Sequence, residues 1–156
     1  MVAEFKRGSH IVLVDSEDSH FLQDYTWYVA KEKTGRCYVR VKVSNNPRKR
    51  MFLHRLIMKP ASNEEVDHIN HNGLDCRKIN LRNCTRAQNA RNTRKCKPKT
   101  SSKYKGVTFN RGGWQAQATM NGIVLYLGRF RSEIEAAIQY DKFALLHYGE
   151  FARTNF

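Results

Sequence analysis

The chain has 156 residues, 40% of them hydrophobic and 11% aromatic, enough for one ordinary domain or two small ones and too much for wholesale disorder. Its 28 lysines and arginines against 14 acids leave a formal charge of +14, which points to an anionic partner. That charge is concentrated, because between Asp75 and Glu133 there is no Asp or Glu, yet the stretch holds half of the basic residues.

The opening run, Met1-Val2-Ala3-Glu4-Phe5-Lys6-Arg7, has no apolar signal-peptide core. No stretch approaches the ~20 apolar residues of a membrane span, so the expectation is a cytoplasmic protein with no membrane partner. From His10 to Arg50 short β-rich runs follow one another: Ile11–Val14, Thr26–Val29 and Cys37–Val43. Turn formers at Asp15-Ser16, Thr34-Gly35 and Ser44–Pro47 separate them, and the last run alternates valines with Arg40 and Lys42. An antiparallel meander is expected, leading into Met51–Met58. Glu65–Ile69 then reads as a short strand, Asn70-His71-Asn72-Gly73 as a turn, and Ile79–Arg82 as the returning strand. Thr85 with Gln88 forms a capping-box pattern that predicts a helix to about Arg94. The domain expected here spans 1–95, with its core at 54–95.

Residues 96–102 are polar, basic and broken by Pro98, and read as a linker. A second domain is predicted over 103–156. Gly106–Asn110, Trp114–Thr119 and Ile123–Gly128 are its strands, with the favoured hairpin dipeptide Asn121-Gly122 between the last two. Ser132 and Glu135 start an amphipathic helix with apolar positions at Ala137, Tyr140, Ala144 and Leu145, ended by Gly149. The whole is α+β: meander, strand–loop–strand–helix, then three strands on one helix. The four cysteines, Cys37, Cys76, Cys84 and Cys96, make no CxxC pair and are expected as free thiols. A zinc site from Cys76, Cys84, Cys96 and a histidine is the alternative.

The chemistry gathers before the basic stretch. Asp67 supplies an anionic oxygen and Asn89 a neutral one, the ligands that Mg2+ prefers, with phosphate and water completing the shell. His68, beside Asp67, suits removal of a proton from an attacking water. Asn80 could hold the loop or orient that imidazole, and Arg55, Arg82 and Arg86 could clamp phosphates. His54 reads as a core histidine. Metal-assisted hydrolysis of nucleic acid follows as the expectation.

Leu53-His54-Arg55-Leu56-Ile57, Glu65–Asn70, Asn80-Leu81-Arg82 and Thr85–Asn89 resemble the HNH endonucleases of the phage homing type. The resemblance implies a ββα-metal fold acting with one divalent ion, Mg2+ or Mn2+, and no organic cofactor. It gives His68 as general base, Asp67 and Asn89 as metal ligands and Asn80 as the central asparagine. Cys76 stands where relatives commonly have asparagine. It also implies double-stranded DNA as substrate, a monomer or DNA-induced dimer, and a bacterial or phage-infected host cell. Ser102–Val107, Trp114-Gln115-Ala116, Leu127–Phe130, Glu135–Asp141 and Thr154-Asn155-Phe156 resemble the AP2/ERF DNA-binding domain. That resemblance implies a sheet laid in the major groove, with Lys105, Thr108, Asn110, Gln117, Thr119, Val124 and Tyr126 facing bases or phosphates. Thr108, Thr119 and Val124 depart from the arginine-rich plant pattern. The rival expectations are a catalytically inactive DNA-binding transcriptional regulator and an RNA-binding ribosome-associated protein.

Overall fold

The computed structural model describes residues 1–45, 48–95 and 101–156. Asn46-Pro47 of the expected turn and 96–100 of the expected linker, Cys96 included, lie outside the described residues. The rest forms two compact units, Met1–Thr85 and Arg86–Phe156, each α+β with small antiparallel sheets. They part ten residues before the 95/96 boundary read from sequence. No helix among the described residues is long and apolar enough to cross a membrane.

In the first unit, β1 (Val2–Arg7) pairs antiparallel with β2 (His10–Asp15) as a separate two-stranded sheet. This corrects the expected single meander. The sequence reading starts at His10 and misses β1, whose alternation puts Ala3 and Phe5 against the core while its charged residues face water. A short helix, α1 (His20–Gln23), leads to β3 (Trp27–Lys31), and β3, β4 (Cys37–Asn45) and β5 (Arg48–Phe52) make the true meander. The chain then turns into α2 (Leu53–Met58), which ends where Lys59 takes a left-handed conformation with φ 46°. β6 (Glu65–His68) and β7 (Leu81–Cys84) close the unit as an antiparallel pair. The return strand therefore starts at Leu81, and Asn80 lies in a 3-10 turn before it. Val12, Val14, Trp27, Val39, Val41, Leu53, Val66, Cys76 and Leu81 share one core. Each large apolar side chain buried there contributes about 1.5–3 kcal/mol.

The second unit opens with α3 (Arg86–Asn92). β8 (Val107–Asn110), β9 (Gly113–Met120) and β10 (Ile123–Phe130) form a sheet in the order β10-β9-β8, backed by α4 (Glu133–Tyr148). Asn121 and Gly122, at φ 51° and 79°, make the tight hairpin between β9 and β10. α4 begins with the predicted capping box: Ser132 Oγ accepts from Ile134 N, and Glu135 reaches back to Ser132 N. Its buried stripe is Ala136, Ala137, Tyr140, Asp141, Ala144 and Tyr148. Leu145, expected on that stripe, is 62% exposed because the stripe runs on to Tyr148 instead.

Candidate active site

The β6–β7 register sets Asp67 directly opposite Arg82 and His68 opposite Leu81. Arg82 donates Nε (3.0 Å) and Nη2 (2.7 Å) to Asp67 Oδ2, a charge-assisted pair across the strands. Both groups are sheltered, so the guanidinium holds the carboxylate oxygen in a fixed place. His68, the next residue, packs its ring 4.8 Å from His54 and 5.8 Å from Tyr38. His54 in turn stacks on Phe52 at 5.2 Å. Burial lowers His68 to about 4, against the opposing pull of Asp67 and Asp75, and lowers His54 to about 3. Both imidazoles are neutral at pH 7, the form that can accept a proton. Cys76 Sγ lies 4.0 Å from His68 Nε2, and burial pushes that thiol up to about 12, so it stays protonated. Cys37, Cys76 and Cys84 are free thiols.

The loop joining the two strands is braced from within and from outside. Asn80, buried, accepts from Asn70 N (2.9 Å) and donates Nδ2 to Asp75 O (2.8 Å), so both ends of its amide are spent on loop backbone. Asp75 takes two bonds of 2.7 Å from Arg77 and one of 2.9 Å from Asn70 Nδ2. These contacts hold its carboxyl below the usual range, the Arg77 hydrogen bond most of all. From outside, Leu13 N donates to Leu74 O (2.9 Å) and Leu13 O accepts from Cys76 N (2.8 Å). Asp15 Oδ2 accepts from Lys78 N (2.8 Å), and the Lys78 ammonium pairs with Glu17 and Asp18. Gly73 lies so close to β4 that a Cβ would run into the Cys37 carbonyl and the Tyr38 ring. Sequence reasoning missed Asp75, Arg77 and the Leu13–Asp15 clamp. Only the Asp75/Arg77 spacing could have hinted at them.

The three arginines go to different places. Arg55 Nη1 donates to Glu64 O (3.3 Å), Arg82 serves Asp67, and Arg86 is exposed at the start of α3. Asn89 lies on α3, in the second unit. Among the described residues no three of His, Cys, Asp and Glu gather closely enough to hold an ion. Asp67 nevertheless offers a carboxylate oxygen of the kind that suits a hard divalent cation, which keeps several waters and takes further oxygens from phosphate.

In the second unit one sheet face packs on α4 through Val107, Ala116 and Ala118. The opposite face is open. Cross-strand register puts Thr108 opposite Gln115, Gln117 opposite Tyr126 and Thr119 opposite Val124 on it, with Asn110 two residues beyond Thr108. Gln117, Thr119, Val124, Tyr126 and Asn110 are exposed and Thr108 half-buried. Lys105 is elsewhere: its Nζ donates to Arg91 O and to Thr93 O (2.8 Å), capping the C-terminal end of α3. Burial and the nearby Arg153 lower this ammonium to about 8. Asp141 is a bracket for the chain end, accepting from Asn155 N and Nδ2 (2.9 Å each) and from Phe156 N (3.1 Å).

A family described as HNH endonuclease matches residues 52–91, the segment that carries Asp67 and His68. An uncharacterized HNH endonuclease of Acanthamoeba polyphaga mimivirus is 34% identical over 134 residues, covering 84% of this chain and 67% of that protein. APETALA2-like protein 2 of Oryza sativa subsp. indica and its japonica namesake are each 42% identical over 59 residues. That similarity covers 36% of this chain and 14% of the rice proteins.

Proposed function

Because the chain belongs to the HNH endonuclease family, and is thus an endonuclease hydrolysing phosphodiester bonds of DNA, we propose that its nuclease centre is a ββα-metal unit over 54–95. In this reading Asp67 and Asn89 hold one divalent ion, Mg2+ or Mn2+. When bound, the ion supplies polarisation of the scissile phosphate and stabilisation of the departing 3′ oxygen. His68 takes the proton of the attacking water as the water oxygen bonds to phosphorus and the bond to the 3′ oxygen breaks. Arg82 holds the Asp67 carboxylate in place, Asn80 keeps the loop in shape, and Arg55 and Arg86 neutralise neighbouring phosphates. The observation that supports this most is a buried, neutral imidazole next to an arginine-held carboxylate inside the matched segment.

The unit at 103–156 is AP2-like and locates the cleavage site, as in a homing-type enzyme. Thr108, Asn110, Gln117, Thr119 and Tyr126 face the duplex, and Lys105 contributes by bracing α3. One nuclease centre per chain nicks DNA as a monomer, and a DNA-induced dimer makes a double-strand break. Supercoiled plasmid incubated with Mg2+ should pass to the nicked form, and His68→Ala should slow this by about 10²–10⁴. Intact protein that cuts no DNA with Mg2+ or Mn2+ would leave the DNA-binding regulator as the function.

A further inference from the structure

The open face of the β8–β10 sheet carries a chemistry that selects among base pairs. Gln115, Gln117 and Asn110 present side-chain amides that make no hydrogen bond among the described residues. Thr119 and Val124 form one cross-strand pair, and Val124 and Tyr126 stay 63% and 64% exposed. Glutamine and asparagine amides match the adenine N6/N7 edge, and small apolar groups match the thymine methyl. The guanine readers are arginine and lysine, and here they are few. Arg129 is the sole basic residue within the three strands. Its Nη2 donates to Arg111 O, and its guanidinium lies over Gly113, where any other residue's Cβ would sit. Lys105, as above, is committed to α3. A carboxylate to accept from cytosine N4 is also missing, because 107–130 contains no Asp or Glu. The acids of this unit are Glu133, Glu135, Asp141 and Glu150, all on α4 or just after it. The face is thus positive enough in its surroundings to lie against phosphates and, apart from Arg129 opposite Gln115, neutral along its strands.

We propose that this face reads A·T pairs in the major groove, with Gln117 recognising adenine and the Thr119–Val124 pair receiving the thymine methyl. The proposal rests on duplex DNA being the substrate. Alternate residues of β9 are ~6.8 Å apart, about two base-pair steps for a strand lying along the groove. Gln115, Gln117 and Thr119 therefore sample a run of about five pairs.

The test uses the full chain carrying His68→Ala, to prevent cutting, and a randomised duplex library in Mg2+. Selected sites should be rich in A·T over such a run. Replacing thymine by uracil in a selected site removes only the methyl and should weaken binding several-fold, and Val124→Ala should abolish that difference. Gln117→Arg, at an exposed position, should convert one preferred pair from A·T to G·C with about tenfold discrimination. Selection of G·C at these positions, no response to uracil, or an unchanged preference in Gln117→Arg overturns the proposal and leaves the nuclease reading intact. No duplex affinity and no plasmid nicking by the unsubstituted protein would overturn both.

Discussion

His54 shows how one buried side chain sets the working range of the first unit. It is 8% exposed, wedged between Phe52, Tyr38 and His68, and its Nδ1 has no hydrogen-bond partner among the described residues. Burial would strip a protonated ring of its water, and His68 and Arg55 would repel it further, which is why it is lowered to about 3. The unfolded chain takes up this proton near 6.5 and the folded chain only near 3, so the unfolded state binds more protons in between. Stability is therefore complete above pH 6.5 and is lost as pH falls toward 3, by at most about 1.4 kcal/mol per unit for each such group. His68 adds to the same trend. Thermal melts from pH 7 to 5 should fall steeply, and His54→Gln should make that fall shallower. An equal slope in both proteins would show that His54 takes up its proton as readily in the fold as in the unfolded chain.

At the scale of elements, α3 is a two-turn helix, too short to hold itself in water. What holds it is Lys105, whose ammonium bonds the carbonyls of Arg91 and Thr93, and Arg91, whose guanidinium lies 4.8 Å from the centre of the Tyr148 ring. Lys105→Met keeps the aliphatic stem and removes the charged bonds, at a cost of about 1–2 kcal/mol. Hydrogen exchange should then quicken by about tenfold or more in 86–95 while β8–β10 keep their protection. Uniformly faster exchange would mean that Lys105 supports the whole unit. The same helix marks the limit of what could be read in advance. Local signals gave away α4 and the β9–β10 hairpin, because a capping box and Asn121-Gly122 act within four residues. The alternation of Val39, Val41 and Val43 likewise betrayed β4. Asp67 and His68 were legible from a short motif. The partners that steady them were not: β1, the Leu13 tie, the Asp75–Arg77 pair and the direction of Lys105 are set by tertiary packing, and composition carries no trace of it.

Across the whole molecule the charge is unevenly shared. The second unit carries 13 of the 28 basic residues but only 4 of the 14 acids. Binding that neutralises about six phosphates should lose roughly 10³ in affinity between 50 and 200 mM salt. Titrations of a duplex at several salt concentrations should give that slope, and the preference among base pairs should persist as affinity falls, because counterion release is blind to sequence. A slope near zero would remove phosphate contacts from the binding. The N-terminal hairpin has a different reach, for Leu13 grips the segment around Asp75 with main-chain atoms alone. Evolutionary drift at position 13 can therefore exchange one side chain for another without slackening that grip. Proline, which lacks the amide hydrogen, is the replacement that a saturation library screened for cutting should reject there.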